Sequence, residues 1–144
     1  MVNYLYDFDA MIKTSIMLSM GDYATGLANS ATNLTPDRNG YQALVILVQT
    51  GGVGLVSGTG SAEFVLRHAD ENVTGSMVDC DASDFIAPVT SIPVVDSGTN
   101  QLLKFTYIGN KRFVRLKIAV VGTVSVLTVG ASYILGNPQR IPIP

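Results

Sequence analysis

The chain has 144 residues, of which 47% are apolar and only 14% are charged, and this length fits a single domain with one core. Its formal net charge of −2 gives no global attraction to phosphate polymers, and its single cysteine excludes an intrachain disulfide. The low charge content predicts a surface that a partner covers.

Residues 1–35 mix aromatic, methionine and polar side chains without a clean period. We therefore predict an extended N-terminal arm that contains at most one short helix or strand. Asp7 and Asp9 precede any apolar stretch and no basic leader is present, so we expect no signal peptide.

Residues 36–136 are predicted to form an all-β domain, an antiparallel β-sandwich or jelly-roll-like barrel. The apolar run "YQALVILVQT" (41–50) is typical of a strand buried on both faces. The segment "SAEFVLRHAD" (61–70) alternates, which places Phe64 and Leu66 on one face. Between them, "TGGVGLVSGTG" (50–60) indicates a flexible loop, because a phosphate-binding loop needs a helix behind it.

Residues 101–108 and 111–121 read as two further strands, separated by Gly109 and Asn110. A Gly-Asn pair suits a type II′ turn, so we predict an antiparallel hairpin in which Gly109 has a positive φ. Alternate residues of the second strand should face the core, because strand side chains have a period of two. These residues are Val114, Leu116, Ile118 and Val120.

Residues 118–139 carry no charge and are long enough to span a bilayer as a helix. Glycines divide this stretch into β-branched pieces, which favours short strands at 124–129 and 131–135 instead. We therefore expect no membrane partner. Residues 137–144 contain three prolines, which predict an extended C-terminal tail.

Candidate chemistry is sparse. His68 is the only histidine and no G-x-S-x-G motif is present, so we interpret it as a surface residue. Asp79, Asp81 and Asp84 have a spacing that suits a hard cation but lack the glycine and glutamate of a calcium loop. Cys80 lies between two aspartates, whose charges raise the pKa of its thiol. We predict no catalytic, cofactor-binding or metal-binding residue, and no enzyme.

The charged residues form two opposed stretches, a basic one at 104–117 and an acidic one at 63–84. Either the two pair within the chain across adjacent strands, or each meets the opposite stretch of a neighbouring subunit. We favour subunit contact in a homo-oligomer, with a trimer as the preferred form, and expect no nucleic acid because the acidic stretch repels it. The predicted subunit or capsid interface comprises Lys111, Arg112, Arg115, Lys117, Asp70, Glu71, Asp79, Asp81 and Asp84.

Four segments resemble, in this order, a family of small virion proteins of tailed bacteriophages. They are "GYQALVILVQTG", "FVLRHADENVTGSMVDCDASDFI", "YIGNKRFVRLKI" and "VLTVGASYILGNPQRIPI". The most specific is "YIGNKRFVRL", which is similar to the family's aromatic-Ile-Gly-x-Lys-Arg-aromatic-Val-Arg pattern. The second segment departs from the family at Ala69, where the family often has Ser before the acids. The resemblance covers most of residues 39–144.

This resemblance implies a non-enzymatic protein of the virion, assembled in the host cytoplasm, that decorates and cements the capsid shell. Its partners would be the major capsid protein or other virion proteins. A head-fibre base, neck or tail component would have the same character. A different class, a β-sandwich that binds carbohydrate at a host surface, stays open, although the chain has no tryptophan to offer as a stacking platform.

Overall fold

The computed structural model describes residues 12–22, 35–86, 91–94 and 101–138. Over these residues the chain is built of β-strands with two short 3₁₀ turns, Thr74–Ser76 and Ala82–Asp84, and no α-helix occurs among them. The strands are β1 (Lys13–Asp22), β2 (Tyr41–Ala69), β3 (Val78–Asp79), β4 (Ser91–Val94), β5 (Gln101–Tyr107) and β6 (Phe113–Pro138). All the pairings between them are antiparallel, which confirms the predicted all-β class.

Two long strands, β2 and β6, organise the sheet. They pair from Tyr41 with Pro138 at one end to Ala69 with Phe113 at the other, with register shifts near the middle. On β2 the shifts fall between Thr50 and Gly60, within the glycine-rich segment. Bulges bend a strand and increase its local twist. The two halves of the ribbon therefore fold towards each other as two layers.

The first layer has the strand order β5, β2 (41–50), β6 (129–138) and β1. The second layer pairs the other half of β6 (113–122) with the other half of β2 (60–69), which also carries β3 and β4 on its free edge.

One hydrophobic core lies between the layers. Inward side chains from the first layer, such as Ile46 and Val48, and from the second, such as Phe64 and Leu66, are fully buried in one cluster. Each such side chain contributes about 1.5–3 kcal/mol by leaving water. The predicted inner face of β6 is confirmed at Val114, Leu116 and Ile118, which are at most 2% exposed. The side chain of Val120 lies outside the described residues.

Three predictions about single segments are wrong. Residues 41–50 are buried on one face only, since Val45 and Leu47 are partly exposed and Gln49 is exposed. Residues 50–60 continue β2 instead of forming a loop, and residues 124–135 form one uninterrupted strand within β6. The glycines of β2 lie at register shifts inside a long strand, and those of β6 also lie within a strand rather than at strand ends.

The predicted hairpin is also wrong. Strand β5 pairs with β2 in the first layer, where Tyr107 lies opposite Leu44, whereas β6 enters the second layer opposite Ala69. Residues 108–112, which we call the crossing link, thus pass from one layer to the other. Gly109 does not have the positive φ that a type II′ turn requires; among the described glycines that conformation belongs to Gly40, with φ 87°.

The predicted arm contributes one strand to the fold. Strand β1 pairs with β6 from Lys13 opposite Leu135 to Asp22 opposite Thr128, so this part of residues 1–35 belongs to the first layer. Most of the remaining arm, and the predicted tail after Pro138, lie outside the described residues. In the part of the chain that the structure describes, no helix has the length and apolar character needed to cross a membrane.

Candidate functional site

Two of the predicted interface cations pair with predicted interface acids of the same chain. Lys111 Nζ lies 2.6 Å from Asp70 Oδ2, and Lys117 Nζ lies 3.3 Å from Asp79 Oδ2. The same Asp79 carboxylate lies 3.0 Å from Arg67 Nε. These contacts arise because the acidic segment folds back along β2, where β3 places Asp79 opposite Arg67. Pairing within the chain, the alternative that we did not favour, therefore accounts for these contacts, and an interface role for the nine residues stays a prediction.

Arg112 has a partner that the sequence did not indicate. Its Nε and Nη2 donate to the two carboxylate oxygens of Asp37 at 2.8 and 2.7 Å, and its guanidinium lies 4.9 Å from the centre of the Phe113 ring. The hydrogen bonds from Arg112 lower the pKa of Asp37. This bidentate pair anchors the segment before β2 to the start of β6.

Arg115 is buried, whereas we expected it to extend outward towards acidic residues. It is 8% exposed, and its guanidinium donates to the side-chain oxygens of Thr35, Asn72 and Thr74 at 2.9–3.2 Å. Desolvation lowers its pKa. The acceptors are neutral, so Arg115 fastens the segment after β2 to the outer face of the second layer without forming an ion pair there.

Two further acids of the predicted interface, Glu71 and Asp81, are exposed.

A buried polar cluster lies beneath the crossing link. Tyr107 is fully buried, and its hydroxyl oxygen lies 2.8 Å from His68 Nδ1 and accepts a hydrogen bond from the Lys111 backbone N–H at 3.3 Å. The guanidinium of Arg38 lies over the Tyr107 ring, 4.7 Å from its centre. Burial raises the pKa of the Tyr107 hydroxyl, which therefore stays protonated.

Arg38 holds the crossing link in place. Its guanidinium donates to the backbone carbonyls of Gly109, Lys111 and Gln42 at 2.6, 2.9 and 2.5 Å, and the residue is 7% exposed. One side chain thus connects the link with the start of β2. No motif in the sequence indicates this role, because the carbonyl acceptors belong to the backbone.

Three side chains with metal-ligating atoms meet next to Tyr107. One such atom from each of His68, Cys80 and Asp84 lies within 4.8 Å of the other two, and His68 Nδ1 is 3.7 Å from Asp84 Oδ2. The prediction of a surface histidine is wrong, since His68 is 8% exposed. Its position follows from the alternation of β2, which places it on the inner face with Phe64 and Leu66.

The thiol of Cys80 behaves as the sequence indicated. Burial raises its pKa, and the negative charges of Asp84, Asp79 and Asp81 raise it further. The side chain is 4% exposed, and the Cys80 backbone N–H donates to the Leu66 carbonyl at 2.9 Å.

We expect Cys80 to resist alkylation in the folded, metal-free protein. Only the thiolate reacts, and burial disfavours it. Iodoacetamide at about pH 8 should leave the native chain unmodified and should label it fully after denaturation in urea, as measured by intact mass. Labelling of the folded protein at the rate of the unfolded chain would contradict this burial.

No family model and no curated protein matches the chain. Among solved structures, the VP2 subviral particle of infectious bursal disease virus is similar at 11% identity and TM-score 0.46, covering 91% of this chain and 34% of that one. The empty capsid of Triatoma virus is similar at 10% identity and TM-score 0.41, covering 94% and 96%. Broad bean stain virus follows at 12% identity and TM-score 0.40, covering 93% and 84%.

These three similar structures are viral capsid proteins or capsids, and the chain spans about a third of the VP2 chain.

Proposed function

We propose that this chain is a non-enzymatic structural protein of a virion, which binds the capsid shell as a decoration or cementing protein. The observation that carries the proposal is an exposed apolar face on the first layer. Ile16 is 60% exposed and Leu102 is 70% exposed, on strands β1 and β5 at opposite edges of that layer.

The strand register places these residues on one face of the layer. Ile16 lies opposite Ser132 of β6, and Ser132 lies opposite Leu47 of β2. Leu47 and Leu102 border the same groove, of about 470 Å³, as Ile16. Apolar side chains that line an exposed groove on a sheet favour a protein partner. We name the residues Ile16, Leu47 and Leu102 the apolar face.

The resemblance to phage virion proteins supports the same proposal. Its most specific motif, "YIGNKRFVRL", coincides with the end of β5, the crossing link and the start of β6. Several of its residues have packing roles there: Tyr107 is buried, the Gly109 and Lys111 carbonyls accept from Arg38, and Arg112 pairs with Asp37. A shared motif of this kind accords with a shared two-layer architecture.

The partner that we propose is the major capsid protein, with further copies of this chain, in a trimer, as the second contact. Because Lys111 and Lys117 have acidic partners within the chain, we place the main contact on the apolar face and assign the nine charged residues to its periphery. Because these carboxylates neutralise the two lysines, the pairing favours protein contact over phosphate contact for the basic residues.

We expect the double substitution Ile16→Asp with Leu102→Asp to reduce incorporation into particles by about tenfold or more, because it places two charges in an apolar contact. The measurement is quantitative mass spectrometry of purified virions. The control is Val73→Asp, which makes one such change from an apolar to a charged side chain at a residue that is 54% exposed on the segment following β2. It should leave incorporation unchanged.

Both variants should fold, since their side chains are exposed, and thermal melting checks this. Equal incorporation of the double variant and the unmutated chain would reject the apolar face as the contact. Cryo-electron microscopy of the particle tests the wider proposal: density for the chain on the head supports decoration, whereas density only at a fibre, neck or tail supports those alternatives. Absence of the chain from purified particles would reject a virion role.

A further inference from the structure

We propose that His68, Cys80 and Asp84 form a zinc site at the end of the sandwich beneath the crossing link. The three residues come from separate elements. His68 lies at the end of β2, Cys80 directly follows β3, and Asp84 is in the second 3₁₀ turn. Their ligand atoms lie within 4.8 Å of one another. This inference is independent of the virion proposal.

The backbone holds the three positions together. The Cys80 N–H donates to the Leu66 carbonyl at 2.9 Å, which fixes Cys80 beside the strand that carries His68. Asp84 ends a 3₁₀ turn in which Asp81 and Asp84 cap each other reciprocally. The next residue, Phe85, forms a bridge with Tyr107. Each ligand side chain therefore starts from a backbone position that hydrogen bonds define.

The distances are close to those of a coordinated ion. Zinc binds sulfur, nitrogen and oxygen ligands at about 2.0–2.3 Å in a tetrahedron, which places the ligand atoms about 3.3–3.8 Å apart. The 3.7 Å between His68 Nδ1 and Asp84 Oδ2 lies in this range. The largest separation in the group, up to 4.8 Å, has to shorten by about 1 Å when the ion binds.

The charges also fit. A zinc ion with one thiolate, one carboxylate and one neutral imidazole forms a site with no net charge, which a buried position tolerates. Among the described ion pairs, Asp84 has His68 as its partner and no lysine or arginine. A mixed set of imidazole, thiolate and carboxylate suits zinc, whereas calcium and magnesium prefer oxygen ligands alone.

The site has a neighbouring oxygen and a route to solvent. The Tyr107 hydroxyl lies 2.8 Å from His68 Nδ1, so once Nδ1 binds the ion this oxygen is near the fourth coordination position. A surface cavity of about 400 Å³ borders His68 and is lined by Glu71 and by the Lys111–Asp70 ion pair, which together leave a net negative charge there. Negative charge at the mouth of a cavity attracts cations.

Cobalt(II) titration of the full-length, metal-free chain in the presence of a non-thiol reductant tests the site. We expect one equivalent of cobalt to produce a thiolate-to-cobalt charge-transfer absorption in the near ultraviolet, and zinc to abolish this absorption by displacement. Zinc should also raise the thermal melting temperature, because it binds the folded chain.

The substitutions Cys80→Ser and Asp84→Asn should each weaken cobalt binding by about tenfold or more, and Cys80→Ser should also remove the charge-transfer absorption. The matched control is Asp81→Asn, which removes a neighbouring carboxylate by the same chemical change. Asparagine is a good N-cap, so the 3₁₀ turn should be retained. This control should bind cobalt like the unmutated chain.

Two outcomes would overturn the proposal. One is a folded, unmutated chain that shows no charge-transfer absorption with excess cobalt. The other is an equal loss of affinity in Asp81→Asn and Asp84→Asn, which would indicate loose binding to the acidic segment. If Cys80→Ser fails to fold, Asp84→Asn decides, because that side chain lies at the edge of the core and is 15% exposed.

Discussion

Replacing Arg38 by alanine is expected to lower the free energy of unfolding by about 3–5 kcal/mol. The guanidinium donates to three backbone carbonyls, two of them in the crossing link, and is buried against the Tyr107 ring. Removing it leaves these carbonyls without their charged donor and leaves a gap where the guanidinium lay over the ring. Urea denaturation monitored by circular dichroism measures the effect.

Two further substitutions make the Arg38 result specific. Arg38→Lys keeps the charge but not the planar fork, so it should recover only part of the lost stability. Arg112→Ala removes an arginine whose bidentate pair with Asp37 is about half exposed. It should lower stability less than Arg38→Ala does, because solvent screens an exposed ion pair. Equal effects of Arg38→Ala and Arg112→Ala would show that the three carbonyl contacts do not stabilise the fold.

The second large effect is expected at Gly109. A Cβ atom there would lie 2.5 Å from the Tyr107 hydroxyl oxygen and closer still to an Asp84 carboxylate oxygen. Gly109→Ala should therefore lower the free energy of unfolding by about 1–3 kcal/mol, through overpacking. Chemical denaturation measures the change, and Gly75→Ala is the control, since a Cβ at Gly75 meets no atom within 4 Å.

A third variant separates close packing from backbone strain at Gly109. Asparagine tolerates a positive φ better than alanine does, so Gly109→Asn would be milder than Gly109→Ala if a type II′ turn were the cause. If close packing is the cause, Gly109→Ala and Gly109→Asn should lower stability to a similar extent, because both add a Cβ at the same place. A near-native stability of Gly109→Asn would therefore contradict the structure of the crossing link.

The sequence predicts which face of a strand a side chain lies on, because this depends only on the alternation of neighbouring residues. The alternation in "SAEFVLRHAD" and after Phe113 placed Phe64, Leu66 and Leu116 in the core, as the structure confirms. The same alternation places His68, two residues beyond Leu66, on the inner face. The surface interpretation of His68 rested instead on the absence of a catalytic motif, which carries no information about the face of the strand.

Strand partners could not be predicted in the same way. Gly109 and Asn110 follow one strand and precede another, and this local pattern indicates a hairpin. The pairing is decided instead by residues far along the chain, since Tyr107 lies opposite Leu44. The contacts of Arg38 with the crossing link and of Asp37 with Arg112 escaped prediction for the same reason. These partners lie 71 to 75 residues away along the chain, and those of Arg38 are backbone carbonyls.

The continuity of β2 and β6 through both layers has a consequence for how the chain folds. Both layers contain parts of β2 and β6, so the layers cannot separate without breaking the pairing of these two strands. Unfolding should therefore be a single cooperative event. Even the nearest pair of this ladder, Ala69 with Phe113, closes a long loop, so loop-closure entropy is lost before pairing compensates it. Domains dominated by such distant pairings fold in about milliseconds to seconds, which is slow for a chain of this size.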